Sequence, residues 1–355
     1  MSEVSGSALA LPPGMPKPAI DSQAVAESHR VQTLRGLACV LLVAFHVIGS
    51  RATSGLHVDD HTYYRLFANF FMHVRMPLFT FLSGFVYAYR PVAAGQLHTF
   101  ARKKFVRLWL PLVCVSTLYF LAAMLVRDAT GRMPLHQVWR IYVFPYVHFW
   151  FLQAMILIFA AMVVLERLKW LDTARKYATI LAVAIAIHLL ISMKNDEQAP
   201  FSFLQALYLA PFFLLGLGAN RFATFFVRPI VIWICVGTFV VAMTAHVLQI
   251  RLDGHVTERG TVLGLLMGAT SALTLLRFFP RLRPLELIGA YSFTIYLFHP
   301  FFVAGARTAL KMAQNASTDA VFVVGLIAGV LGPAVLERVL GGIPIANQFL
   351  FGQGK

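Results

Sequence analysis

Charge is what this sequence has least of. Asp, Glu, Lys and Arg make up 13% of its 355 residues, against about 25% in soluble domains, which excludes an ordinary water-exposed globular surface. Acid is the scarcer half, with 15 Asp and Glu against 30 Lys and Arg. No pair of carboxylates stands at a recognisable catalytic spacing. Cysteine is nearly missing: Cys39, Cys114 and Cys235 all fall inside apolar runs. They supply neither a disulfide framework nor a metal motif and read as small buried hydrophobes. There is no GxSxG nucleophile elbow and no HExxH pattern. The loop bearing His57, Asp59, Asp60 and His61 lacks ligand spacing, so no metal is expected.

What is abundant is apolar sequence. Hydrophobic residues reach 59% and mean hydropathy is +0.72, the composition of an all-α, polytopic membrane protein. A net charge of +15 would suggest nucleic acid in a soluble chain. Here the basic residues sit in short loops between apolar runs, where they set topology, so membrane lipids are the expected surroundings and nucleic acid is not a partner. About ten transmembrane helices are predicted, near 31–50, 71–89, 107–126, from 148 onward, then 174–193, 201–219, 229–250, 260–279, 285–310 and 320–340. The loops at 90–107, 167–176 and 277–283 are the most basic, while those at 194–197 and 251–259 are mixed in sign. The positive-inside rule therefore places both termini in the cytoplasm. Residues 1–28, rich in Pro, Ser and Ala, read as a disordered cytoplasmic tail without a signal peptide, 29–341 as the membrane domain, and 342–355 as a short cytoplasmic tail.

The first span carries two polar residues, Arg35 and His46. Eleven residues at about 100° each come to three turns plus ~20°, which puts both side chains on one face, roughly 16 Å apart along the axis. Facing lipid, they would cost several kcal/mol, so this face looks into the protein or a water-filled cleft. A guanidinium at one mouth can hold an anion, and an imidazole deeper in can serve as general base or as nucleophile.

Other positions bear on the same chemistry. In Tyr291-Ser-Phe-Thr-Ile-Tyr-Leu-Phe-His299-Pro300, Ser292, Tyr296 and His299 form a hydroxyl and imidazole stripe on one helix face, with Pro300 poised to kink it. His148 and Trp150 open the fourth span. Two residues apart, they point in nearly opposite directions, and His148 at a span end suits an interface as well as a site. His299, Tyr296 and Trp150 are the available donors to a tetrahedral oxyanion. Arg102, Lys103, Lys104 and Arg107 form a basic patch able to bind phosphates, though the same patch is ordinary topology signal.

Arg35 and His46 ten residues apart, then Met76-Pro-Leu-Phe-Thr-Phe-Leu-Ser-Gly-Phe85, Arg107-Leu-Trp-Leu-Pro111, His148-Phe-Trp-Phe-Leu152 and the Tyr291 to Pro300 stretch come in an order and spacing that resembles the integral-membrane acyltransferase-3 family of glycan O-acyltransferases. The likeness covers about Arg30 to Leu340. It implies that Arg35 and His46 are the signature catalytic pair and that Arg102 and Arg107 lie on the acyl-CoA side. It also implies transfer of an acetyl, or sometimes succinyl, group from cytoplasmic acyl-CoA, acetyl-CoA first, to a hydroxyl of an exported or lipid-linked glycan in the bacterial inner membrane. The sequence leaves no room for the esterase-like domain fused to some members, so a stand-alone membrane enzyme is expected, its oligomeric state open. The competing reading is a transporter of a glycan, lipid or small anion using the same Arg35 and His46, although no inverted repeat supports it.

Overall fold

The computed structural model describes residues 22–92, 95–126, 130–191, 199–253, 256–312 and 316–353. Most of the expected N-terminal tail and the mixed-sign loop at 194–197 lie outside them. Among the described residues the protein is all helical, with no strand. The main helices are α1 (Ser22–Ile48), α2 (Tyr63–Phe70), α3 (Met72–Tyr87), α4 (Leu97–Lys104), α5 (Leu110–Leu125), α6 (Arg140–Val143), α7 (Trp150–Arg167), α8 (Ala174–Leu190), α9 (Phe203–Arg221), α10 (Ala223–Phe226), α11 (Pro229–Asp253), α12 (Val262–Phe278), α13 (Arg283–Ala290), α14 (Ser292–Met312), α15 (Thr318–Leu340) and α16 (Pro344–Phe349). The first of these takes in Ser22 to Ser28, assigned above to the tail.

Every stretch read as a span is helical. Six helices, α1, the continuous α4–α5 unit, α7, α9, α11 and α15, are long and apolar enough to cross a bilayer, so the protein is a polytopic helical membrane protein. The stretch expected as one span at 285–310 is instead α13 and α14, bent by 83° at Tyr291. Helices α3, α8 and α12 are 16 or 17 residues long, short of the roughly 20 that span hydrocarbon without thinning or snorkelling.

Two close backbone crossings fix the centre. A Cβ on Gly84 of α3 would lie 1.9 Å from the Phe213 carbonyl oxygen of α9, and one on Gly216 would lie 1.9 Å from that of Phe81. Gly36 and Gly289 do the same for α1 and α13, each within 1.9 Å of the partner helix's carbonyl at Leu285 and Gln32. In lipid, where no hydrophobic force draws helices together, such contacts supply the association. They draw α13 against α1 while α14 turns away to pack on α1 and α15.

The result is a bundle with α1 inside. Of the apolar stretch of α1, 67% is buried, and of α9, 61%, against 17% for α11 and 22% for α15. The outer helices show lipid-facing stripes: Val323, Ile327, Leu331, Val335 and Val339 recur every fourth residue on α15, all exposed. A central helix that still carries Arg35 and His46 has its polar groups facing protein, as the sequence requires.

Candidate active site

Three histidines from separate parts of the chain meet at the C-terminal half of α1. The ring of His46 lies 4.8 Å from that of His299 on α14 and 6.3 Å from that of His148, which precedes α7; His148 and His299 are 5.2 Å apart. His299 is fully buried and His148 is 5% exposed, yet His46 between them is only half-buried. Open space therefore reaches His46 alone. Among the described residues its ring has no hydrogen-bond partner, so both nitrogens are free for a ligand.

The other two rings are fixed by backbone. His299 Nδ1 lies 2.8 Å from the Ile295 carbonyl and 3.0 Å from that of Tyr296. A carbonyl only accepts, so Nδ1 carries the proton and Nε2 is left as the basic nitrogen. That Nε2 is buried with no partner. The following residue explains the arrangement. Pro300 has no N–H, so the Tyr296 carbonyl four residues earlier loses its helical donor and is available to the imidazole. His148 donates from Nε2 to the Leu297 carbonyl at 3.2 Å, and the Tyr296 hydroxyl donates to the His148 carbonyl. Helix α14 thus holds both flanking histidines.

The N-terminal half of α1 faces a different environment. Arg35 lies within electrostatic range of Arg107, and Arg107 of Lys104. Among the described residues none of the three is in an ion pair. The Arg107 guanidinium stacks 4.6 Å from the Phe293 ring and the Lys104 ammonium sits 3.4 Å over Phe159; Lys104 is partly buried, while Arg102, Lys103 and Arg107 are exposed. A π-helical turn, Phe105–Trp109, joins α4 to α5. Glu337, within electrostatic range of Arg107, accepts from Thr294 and, at 2.6 Å, from Gln353.

Helix α1 thus carries cations at one end and a histidine cluster at the other. The family model described as an acyltransferase domain, acyltransferase 3, matches residues 28–338. The chain belongs to the acyltransferase-3 family. No curated protein and no solved structure matches it.

In this acyltransferase the structure brings Arg35 within electrostatic range of Arg107 at one end of α1, and His46, His148, His299 and Tyr296 together at the other. Ser292 is not with the histidines: two turns before His299, its carbonyl faces Cys39 Sγ at 3.7 Å. Trp150 packs on Phe151 and touches no histidine ring. The donor of Tyr296 is engaged by the His148 carbonyl, which makes it a brace between α14 and α7. Among the described residues no group of three His, Cys, Asp or Glu has the geometry of a metal site. A separate cavity of about 210 Å³, lined by Arg30, Tyr89, Asn220, Cys235, Thr274 and Arg277, contains none of the histidines and belongs to another face of the bundle.

One residue beside the site lies outside the sequence reading. Arg75 is 4% exposed and stacks 3.7 Å from the ring of Phe45, next to His46. The only signal for it was a guanidinium three residues from the start of an apolar helix.

Proposed function

We propose that the protein is an O-acyltransferase that moves an acetyl group, or a succinyl group, from a cytoplasmic acyl-CoA to a hydroxyl of an exported or lipid-linked glycan across the bacterial inner membrane, with about ten spans and both termini inside. The observation that carries the reading is the half-buried, unpartnered ring of His46, set between two histidines with fixed hydrogen bonds, on the same helix as the unpaired Arg35.

The chemistry follows from that layout. The phosphates of the donor rest on Arg35, Lys104 and Arg107, with Arg102 and Lys103 adding charge outside the mouth. Pantetheine is a slender arm, and the rise of roughly 16 Å between Arg35 and His46 matches its reach to the thioester. An acceptor hydroxyl then attacks the thioester carbonyl as His46 takes its proton. The oxyanion collapses, the C–S bond breaks and the thiolate of CoA leaves with the proton returned by the imidazolium. His299 Nε2, buried and basic, faces His46 from the other side and steadies the charged ring as it forms. His148 is held too firmly by Leu297 to travel, and lines the acceptor side. No metal takes part in any of these steps.

Sealed vesicles of both orientations test the layout. Acyl-CoA is expected to react only from the face bearing Arg102 and Lys103, and glycan only from the opposite face. Reaction with both substrates added to the first face of tight vesicles overturns the two-sided arrangement. Acyl transfer by detergent-solubilised protein, where no compartment exists, is expected. Movement of unmodified substrate that requires closed vesicles would instead favour transport.

A further inference from the structure

Beyond the histidines, at the C-terminal end of α1, lies a second pair of cations that the reaction outlined above does not use. Arg75 is buried, and its Nη1 has no hydrogen-bond partner. The charge within its range is that of Arg259, another guanidinium, and both act on the buried hydroxyl of Tyr208. Among the described residues neither arginine is in an ion pair. Like charges in a medium of low dielectric repel by several kcal/mol, and a buried guanidinium with an idle donor adds the cost of its desolvation. The Phe45 ring under Arg75 offsets part of this cost, and among the described residues no acid offsets the rest.

The segment that brings Arg259 there is nevertheless built with care. The carbonyl of Thr257 accepts from His73 Nε2 at 3.0 Å, its hydroxyl lies 2.8 Å from His246 Nδ1 and 2.7 Å from Gln249 Oε1, and His246 Nε2 donates to the Asn69 carbonyl at 3.1 Å. Three side chains, His73 from α3 and His246 and Gln249 from α11, pin a residue two positions from Arg259. A network that holds one cation against another, with no acid between them among the described residues, holds a place for an anion that comes from outside.

That place adjoins the reacting group. Arg75 rests on Phe45, the neighbour of His46, and lies within electrostatic range of the imidazole. It is also ten residues of helix, about 15 Å, from the level of Arg35. The phosphates of an acyl-CoA bound at Arg35 and Arg107 cannot reach it while the thioester is at His46. The anion therefore belongs to the other substrate.

We infer that Arg75 and Arg259, with Tyr208, form an acceptor subsite for an anionic group, a carboxylate or a phosphate carried by the sugar close to the hydroxyl that receives the acyl group. The acceptor is thus an acidic glycan or a sugar phosphate, and a neutral sugar is discriminated against because it leaves two guanidiniums unpaired. This inference rests on the acyltransferase reading for the word acceptor, but not for the existence of the site.

Binding decides it without turnover. Full-length protein in nanodiscs of zwitterionic lipid, at fixed ionic strength, is titrated with glucose, glucuronate and glucose 6-phosphate while the thermal midpoint is followed. At least one of the two charged sugars is expected to stabilise the wild type where glucose does not, and which of them does so separates carboxylate from phosphate. Arg75→Gln and Arg259→Gln are each expected to raise the concentration required about tenfold or more, as loss of a charge-assisted contact does, with Arg75→Lys retaining part of the response. Because Arg75 is buried and its removal can impair folding, the more accessible Arg259→Gln stands as the independent variant. Equal stabilisation by glucose, no response to either charged sugar, or a charged-sugar response unchanged in both Gln variants overturns the subsite. A response that obeys these rules in a protein that transfers no acyl group leaves the subsite standing and removes the acyltransferase reading instead.

Discussion

The two ends of α1 hold polar groups in opposite ways. At the Arg35 end the groups are cations that lean on aromatic rings, with Phe293 under Arg107 and Phe159 under Lys104. At the His46 end the groups are titratable and enclosed, and two of the three rings are tied to backbone carbonyls. Capture of an anion from water needs charge and access and tolerates looseness. Proton transfer needs a fixed donor and acceptor within hydrogen-bond reach and suffers from looseness. The separation along a single rigid helix lets each end meet its own requirement.

Substitutions that act on one end only sharpen this contrast. The largest effect is expected for His46→Ala, which removes the one imidazole open to ligand: turnover falls about 100-fold or more, while acyl-CoA binding by titration stays within a factor of two or so of wild type. A folded His46→Ala protein with full turnover would end the assignment. Arg35→Ala is expected to do the reverse, weakening acyl-CoA binding about tenfold, with Arg107→Ala somewhat milder because Lys104 remains beside it. Unchanged affinity in both variants would make this cluster of cations a topology signal and nothing more.

Smaller effects probe how the flanking histidines are held. Pro300→Ala restores an N–H that competes for the Tyr296 carbonyl, so His299 loses one of two acceptors that fix its Nδ1 proton. A drop of several-fold in kcat with KM unchanged is expected, on the order of one neutral hydrogen bond. Tyr296→Phe, which cuts the brace to the His148 carbonyl, is expected to lower kcat by a similar or smaller factor and to leave donor affinity alone. If either change moved acyl-CoA affinity as much as Arg35→Ala, the two ends would not be independent.

Much of this was written in local sequence. Apolar runs mark every span because helix formation in lipid is compulsory for the backbone, and Arg35 and His46 share a face by helical arithmetic alone. The stripe from Tyr296 to His299 was legible for the same reason. Most of what the sequence hid depends on tertiary contact. The 83° bend at Tyr291 has no proline to announce it, since it comes from the drawing of Gly289 against α1. Lys104 is partly buried and Lys103 exposed because Lys104 leans on the Phe159 ring of α7, a tertiary contact that the basic patch did not reveal. Ser292 falls outside the histidine cluster because two helical turns carry it about 10 Å away along α14. Arg75 escaped the sequence reading because Arg259, which acts on it electrostatically, lies far along the chain.

The crossing of α1 with α13 also constrains how the protein is made. Gly36 meets Leu285, and Gly289 meets Gln32, so the helix synthesised first waits through some 250 residues of translation for its partner. Until then one face of α1, Arg35 included, has no protein neighbour at that crossing, and contacts of such long sequence separation form late. His46 waits likewise for His299 on the next helix. Catalytic competence is therefore acquired in a single closing event near the end of synthesis, and chains interrupted before α13 would hold a complete first helix with no working site around it.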